Sequence, residues 1–162
     1  MVKARQARLL RALKEQGAVA VIPTNPEYLR NGDAHFRFRP DSDFVYMTGF
    51  AEPGAVAVFN PFNDEAPYTL FLRPRDKEKE TWTGRRLGVE RAPEHLGCDK
   101  ALPSESISEH LPEALKGAET LFFPLGHGSN LDATLHEALA GARRLRRKGW
   151  RTPGIIADPL RV

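Results

Sequence analysis

One cysteine in 162 residues, Cys98, leaves no room for an internal disulfide or for a zinc cluster built on thiolates. A lone thiol also fits a reducing compartment. No segment approaches the ~20 apolar residues that a membrane-spanning helix requires. Residues 1–5 lead straight into a charged, amphipathic pattern, without the uninterrupted apolar core of a signal peptide. A cytoplasmic protein with no membrane partner is the expectation. Charge of one sign is scarce as well: 24 Lys and Arg oppose 21 Asp and Glu, a formal net charge of +3. That balance permits contact with anions and does not call for nucleic acid.

Several chemical signatures are missing. The histidines are His35, His95, His110, His127 and His136; none pairs with another at i+2 or i+4, and no HExxH occurs. His136 and Glu137 are adjacent on a predicted helix, so their side chains diverge by about 100°. No metal site is expected in this chain. There is no GxSxG elbow for a serine nucleophile. Cys98 follows Gly97 at the end of a short predicted helix, the wrong end for lowering a thiol pKa, and reads as a small packing residue. Gly126, His127, Gly128, Ser129 and Asn130 lie between a strand and a helix, the setting of a phosphate cradle, yet the Lys of a P-loop is lacking. Helix capping by Ser129 or Asn130 explains that run more simply.

What is present suffices for one domain with a sizeable core, at 41% hydrophobic and 28% charged residues. Leu9, Leu10, Ala12 and Leu13 predict a helix over 3–16, stopped by Gly17. A buried strand follows over 18–22. Asn25, Pro26 and the run Asn31, Gly32, Asp33 are turn chemistry, so 23–35 reads mostly as loop. In FRPDSDFVYMTGF, at 38–50, Phe44, Tyr46 and Thr48 alternate with Val45 and Met47. That alternation predicts a central strand covered on both faces. Residues 55–59 and 68–72 predict an antiparallel hairpin. Asp76 caps a short helix ended by Gly84, and a second spans 90–96. Ile107, Leu111 and Leu115 make a helical stripe through Pro112, 120–123 is a strand, and 131–148 is the longest helix. Residues 155–157 have the composition of one more short strand. Helices interleaved with a partly antiparallel sheet predict an α/β domain, a mixed sheet flanked by helices.

Two features stand out as binding chemistry. Arg143, Arg144, Arg146, Arg147 and Lys148, with Trp150, form a basic block, which a helix C-terminus accounts for through its dipole. Trp82 sits in a polar run beside Gly84, Arg85 and Arg86, either as a lid on the local core or as an exposed anchor. Tryptophan and arginine are the side chains most enriched at binding hot spots.

The ordered blocks Asn31-x-Asp33, FRPDSDF through TGF at 38–50, Glu52-Pro53, LFL at 70–72, Arg75-Asp76 and ETWTGRRLG at 80–88 resemble the N-terminal domain of the Xaa-Pro aminopeptidase P family. That family belongs with the creatinase and prolidase enzymes. The resemblance implies a ribonuclease-H-like domain over 1–150, with 151–162 starting the linker to a C-terminal pita-bread catalytic domain. The chain's end at Val162 reads as a cut near that boundary. In the missing domain, two aspartates, a histidine and two glutamates hold two divalent ions, usually manganese. Those ions serve removal of the residue that precedes proline. The piece itself is expected to be catalytically silent, to shape the substrate pocket and to carry contacts of a homo-oligomer.

The resemblance also implies two substrate-binding residues. Trp82 matches a tryptophan that lines a neighbouring subunit's active site. Arg151, in the setting Lys148, Gly149, Trp150, Arg151, matches an arginine near the pocket of its own chain, a role that stands beside that of a helix-terminal cation. A prolidase-type N-terminal domain and a stand-alone α/β binding module are the alternatives.

Overall fold

Strand residues that are apolar on both faces set the architecture. In the computed structural model, which describes residues 2–126 and 131–158, β1 (Ala18–Pro23), β4 (Val56–Phe59) and β5 (Tyr68–Leu72) form the sheet's interior. β6 (Lys100–Pro103), β7 (Thr120–Phe122) and β8 (Ile155–Ala157) complete a six-stranded sheet of order β6-β5-β4-β1-β7-β8. Strand β4 runs antiparallel to β1 and β5, and the remaining pairs are parallel. Successive side chains point to opposite faces, so the sheet divides the core in two. Val19, Val21, Val58 and Phe71 face one way. They pack under α5 (Ile107–Ala114) and α6 (Leu131–Arg146) through Leu111, Leu135 and Ala138. Ala18, Ala20, Ala57, Phe59, Leu70 and Leu72 face the other way. They lie under α1 (Val2–Glu15), α2 (Ser42–Thr48) and α4 (Ala92–Leu96). The result is a mixed α/β sheet with helices on both sides.

The hairpin of β4 and β5 lies where the sequence puts it. Of Leu131, Leu135, Ala138, Leu139 and Ala142, expected from the sequence to face inward, all are buried except Leu139, which packs partly buried against the core. Pro112 stays inside α5, near its end. There it packs against Gly141, whose missing side chain lets the two helices approach: a Cβ would lie 3.4 Å from Pro112 Cγ. Asn60, buried at the hairpin turn, donates through Nδ2 to the carbonyls of Ala114 and Lys116, both at 2.8 Å. One satisfied amide thus joins β4 to the end of α5.

Two expectations are corrected. Residues 38–50 hold no central strand; they contain α2. Asp41 Oδ1 accepts the Phe44 N–H at 2.9 Å, and Gly49 closes the helix in the left-handed conformation, φ 71°. Phe44 and Thr48 face inward at i and i+4, so the apolar period is helical, and the alternation in the sequence is coincidental. The expected loop over 23–35 contains a hairpin, β2 (Leu29–Asn31) with β3 (Ala34–His35), whose exposed strands flank Gly32 at φ 53°. Residues 100–103, to which the sequence pattern assigns no element, form β6, held by pairing with β5. Residues 155–157 form the short strand their composition suggests, β8, which pairs with β7 through Ile155, Ile156 and Ala157.

Candidate functional site

Strand β5 delivers the chain to α3 (Lys77–Thr83), which bears Trp82. Asp76 caps this helix by accepting the N–H groups of Glu78 and Lys79, both at 3.1 Å. The Lys79 amide, hydrogen-bonded to that carboxylate, holds Asp76 below the usual carboxylate range. The Arg75 fork donates from Nε and Nη2 to the two oxygens of Glu80, at 3.1 and 3.0 Å. That contact lowers the Glu80 pKa and raises that of Arg75. No residue of α3 is buried, and the indole of Trp82 is 88% exposed. Trp82 is therefore no lid on the local core.

Behind α3, residues 84–88 return to the domain under a half-buried group of charges. Glu52 Oε1 accepts the Leu87 N–H at 2.8 Å, and Arg86 Nη1 donates to the Pro74 carbonyl at 3.4 Å. Burial, followed by the nearby Arg86 cation, pushes the Arg73 pKa down, while Glu27 and Glu52 offset part of that effect. Arg73 and Glu27 form an ion pair at 3.5 Å. Gly88, at φ 77°, is required here, since a Cβ would fall 2.5 Å from Arg75 Cγ.

Arg151 lies elsewhere. Its Nη1 donates to Glu119 Oε1 at 2.9 Å on the surface, and its carbonyl accepts the Gly117 N–H. Gly117 and Glu119 precede β7, so Arg151 belongs to the N-terminal end of the parallel strands. Trp82 follows the C-terminal end of β5, at the opposite end of the sheet and on the opposite flank of the strand order. The structure does not bring the two residues together.

The other candidates resolve as follows. Arg146, counted in the basic block, donates to Thr152 Oγ1 and to its carbonyl at 2.7 and 2.9 Å, stitching α6 to the segment before β8. Lys116 stands 3.9 Å from the centre of the Trp150 ring. Cys98 is buried in the core beneath α4, and burial pushes its thiol up to about 11, a neutral thiol at physiological pH. His127, Gly128, Ser129 and Asn130 lie outside the described residues. Among the described residues, no group of three or more His, Cys, Asp or Glu side chains could hold a metal ion. An apolar cavity of about 410 Å³ opens between α1, α2 and the ends of β1 and β7, lined by Leu9, Leu13, Ile22, Met47 and Phe122. Neither Trp82 nor Arg151 lines it.

Residues 2–122 match the family model of the aminopeptidase P N-terminal domain. The chain belongs to that family. The Xaa-Pro aminopeptidase of Escherichia coli is 37% identical over 155 residues, which cover 93% of this chain and 35% of that protein. The Xaa-Pro aminopeptidase of Haemophilus influenzae is 39% identical over 118 residues, covering 73% and 27%. Among solved structures, the aminopeptidase PepP of Pseudomonas aeruginosa superposes with a TM-score of 0.83 at 35% identity, over 97% of this chain and 36% of that one. Zinc-substituted Escherichia coli aminopeptidase P, in complex with product, gives 0.80 at 36% identity, over 94% and 36%. The chain therefore spans about a third of the length of these relatives.

Within an aminopeptidase P N-terminal domain, the motif blocks take on physical roles. FRPDSDF is a cap followed by a core helix, Glu52 and RRLG form a tether, and ETWTG is an exposed projection. Sequence reasoning missed Glu52 as a structural partner of the 80–88 block. The signal available was an acidic residue next to Pro53, and nothing in local periodicity points across 35 positions to Leu87.

Proposed function

We propose that this chain acts as the non-catalytic N-terminal domain of a two-metal Xaa-Pro aminopeptidase that releases the residue preceding proline. The observation that carries this reading is the match of the family model across 2–122, supported by 93% coverage of the chain by the Escherichia coli enzyme. The two metal ions, manganese in this proposal, supply the hydrolytic chemistry from ligands outside this chain. A cytoplasmic location and a homo-oligomer belong to the same proposal.

The part assigned to this chain is recognition. An exposed indole on a short projecting helix provides an apolar wall for the side chains of a peptide substrate. The Arg151 guanidinium, on the surface beside Glu119, suits a peptide carbonyl or carboxylate. Because the two residues occupy opposite ends of the sheet, one copy does not present both to one peptide. Two copies do, with Trp82 of one serving the pocket of the other, and this supports an oligomer.

The test compares the 162-residue chain with the full-length gene product, each supplied with manganese and an Xaa-Pro tripeptide. The expected result is turnover by the full-length protein and none by the chain alone; turnover by the chain alone would falsify the proposal. Cleavage of Xaa-Pro dipeptides but not of tripeptides by the full-length protein overturns it in favour of a prolidase. In the full-length enzyme, Trp82→Ala is expected to lower kcat/KM about tenfold, the scale of losing one aromatic anchor. Unchanged kinetics would remove Trp82 from the substrate pocket.

A further inference from the structure

Helix α3 poses a physical problem. It has seven residues, none buried, and carries one of the most exposed large side chains of the domain. Isolated helices of this length do not persist in water, and packing of an apolar face cannot hold one that buries no apolar residue. Its position must come from its ends. The N-terminal end is fixed twice, by the Asp76 cap and by the Arg75 fork on Glu80. At the C-terminal end, Gly84 accepts no left-handed closure (φ 83°, ψ 169°), and the chain runs extended into 85–88. There the Leu87 N–H donates to Glu52 Oε1, a side chain contributed from the start of the β4 hairpin.

We propose that Glu52 is a positioning residue. By accepting the Leu87 amide it anchors the C-terminal end of α3 and sets where Trp82 stands. Two further observations favour a purpose-built anchor over a casual surface contact. Glu52 Oε2, Arg73 Nε and Arg86 Nε are buried without a protein hydrogen-bond partner, and Arg86 and Glu52 lie close enough to Arg73 to act on its charge, so the carboxylate sits inside a buried charged cluster. In addition, Glu52 immediately precedes Pro53, whose fixed backbone limits how far the carboxylate can wander. The effect on catalysis rests on the Trp82 role proposed above; the effect on α3 does not.

The experiment uses the full-length enzyme and the variants Glu52→Ala, Glu52→Gln, Trp82→Ala and the double variant of Glu52→Ala with Trp82→Ala. Amide hydrogen exchange and Xaa-Pro tripeptide kinetics are both measured. In Glu52→Ala, amides of residues 80–88 should exchange about tenfold faster or more, as expected for loss of a hydrogen bond to a charged acceptor, with β4 and β5 unchanged. Glu52→Gln keeps a carbonyl oxygen in place and should restore most of the protection. The loss in kcat/KM should appear mainly in KM, and the double variant should be no worse than Trp82→Ala, since Glu52 acts through the indole. Unchanged exchange over 80–88 in Glu52→Ala, or acceleration shared equally by the core strands, overturns the proposal. If 80–88 loosens while Trp82→Ala has normal kinetics, the anchor stands and the substrate role of Trp82 falls.

Discussion

Helices α2 and α3 are a natural pair. Each has seven residues, each begins after an aspartate that caps it, and each is followed by glycine. Both belong to the motif blocks that mark the family. Their fates differ. Helix α2 turns Phe44 and Thr48 into the core, and its Met47 carbonyl accepts Gln6 Nε2 of α1 at 3.0 Å. Helix α3 buries no apolar residue and holds its place by a cap, an ion pair and a tether. Two sequence blocks of like pattern therefore do different work: one builds the scaffold, the other a projection from it, and burial separates them.

The largest effect should appear when the buried member is damaged. Phe44 is fully buried, its ring 6.5 Å from that of Phe50. Phe44→Ala is expected to destabilise the domain by about 3–5 kcal/mol through lost transfer energy and a residual cavity. Trp82→Ala, on the exposed member, should stay within about 0.5 kcal/mol. Denaturant melts of the two variants give the comparison directly. Equal losses would show that Trp82 is part of the core, contrary to its exposure.

The contrast also explains what could be read from the sequence. Sheet strands with continuous apolar runs, such as 18–22 and 68–72, declare themselves because both faces are covered. The stripe Leu131, Leu135, Ala138 and Ala142 declares α6 by its period. The failure at 38–50 arose because seven residues span only two helical turns, too few to separate a period of 3.6 from one of 2. Asp41 and Gly49, the cap and stop, were the better signal. β2 and β3 were missed because their residues are exposed, so no burial pattern marks them. β6 was missed because its pairing with β5 lies outside its own sequence. At Trp82, the company of glycines and arginines left a core lid and an exposed side chain both open, and only the structure shows the exposure. The place of Arg151, at the far end of the sheet, required the topology.

A smaller effect concerns the cap of the buried helix. Asp41→Ala removes the acceptor of the Phe44 amide and is expected to cost about 1 kcal/mol, a fall in Tm of about 3 °C for a domain of this size. Asp41→Asn should restore most of it, since asparagine also caps well. A loss as large as that of Phe44→Ala would mean that the cap, not the core contact, holds α2.

The smallest and most local effect is one of pH, and it should fall on α3. Its two anchoring carboxylates, Asp76 and Glu80, both have pKa values below the ordinary range, the first through the Lys79 amide and the second through Arg75. A carboxylate whose pKa is lower in the folded protein contributes stability that is complete above its unfolded value. That contribution is lost as pH falls through the folded value. Asp76 and Glu80 should therefore hold α3 in full above the ordinary carboxylate range of about pH 4 and release it only as pH falls below that range, while Arg75 remains a cation throughout. Helix α2, held by Phe44, should keep its helical chemical shifts over the same range. Backbone NMR between pH 6 and 3 follows both helices in one sample. Simultaneous loss of α2 and α3 would mean that acid acts on the whole domain, and that the exposed helix is no more dependent on its anchors than the buried one.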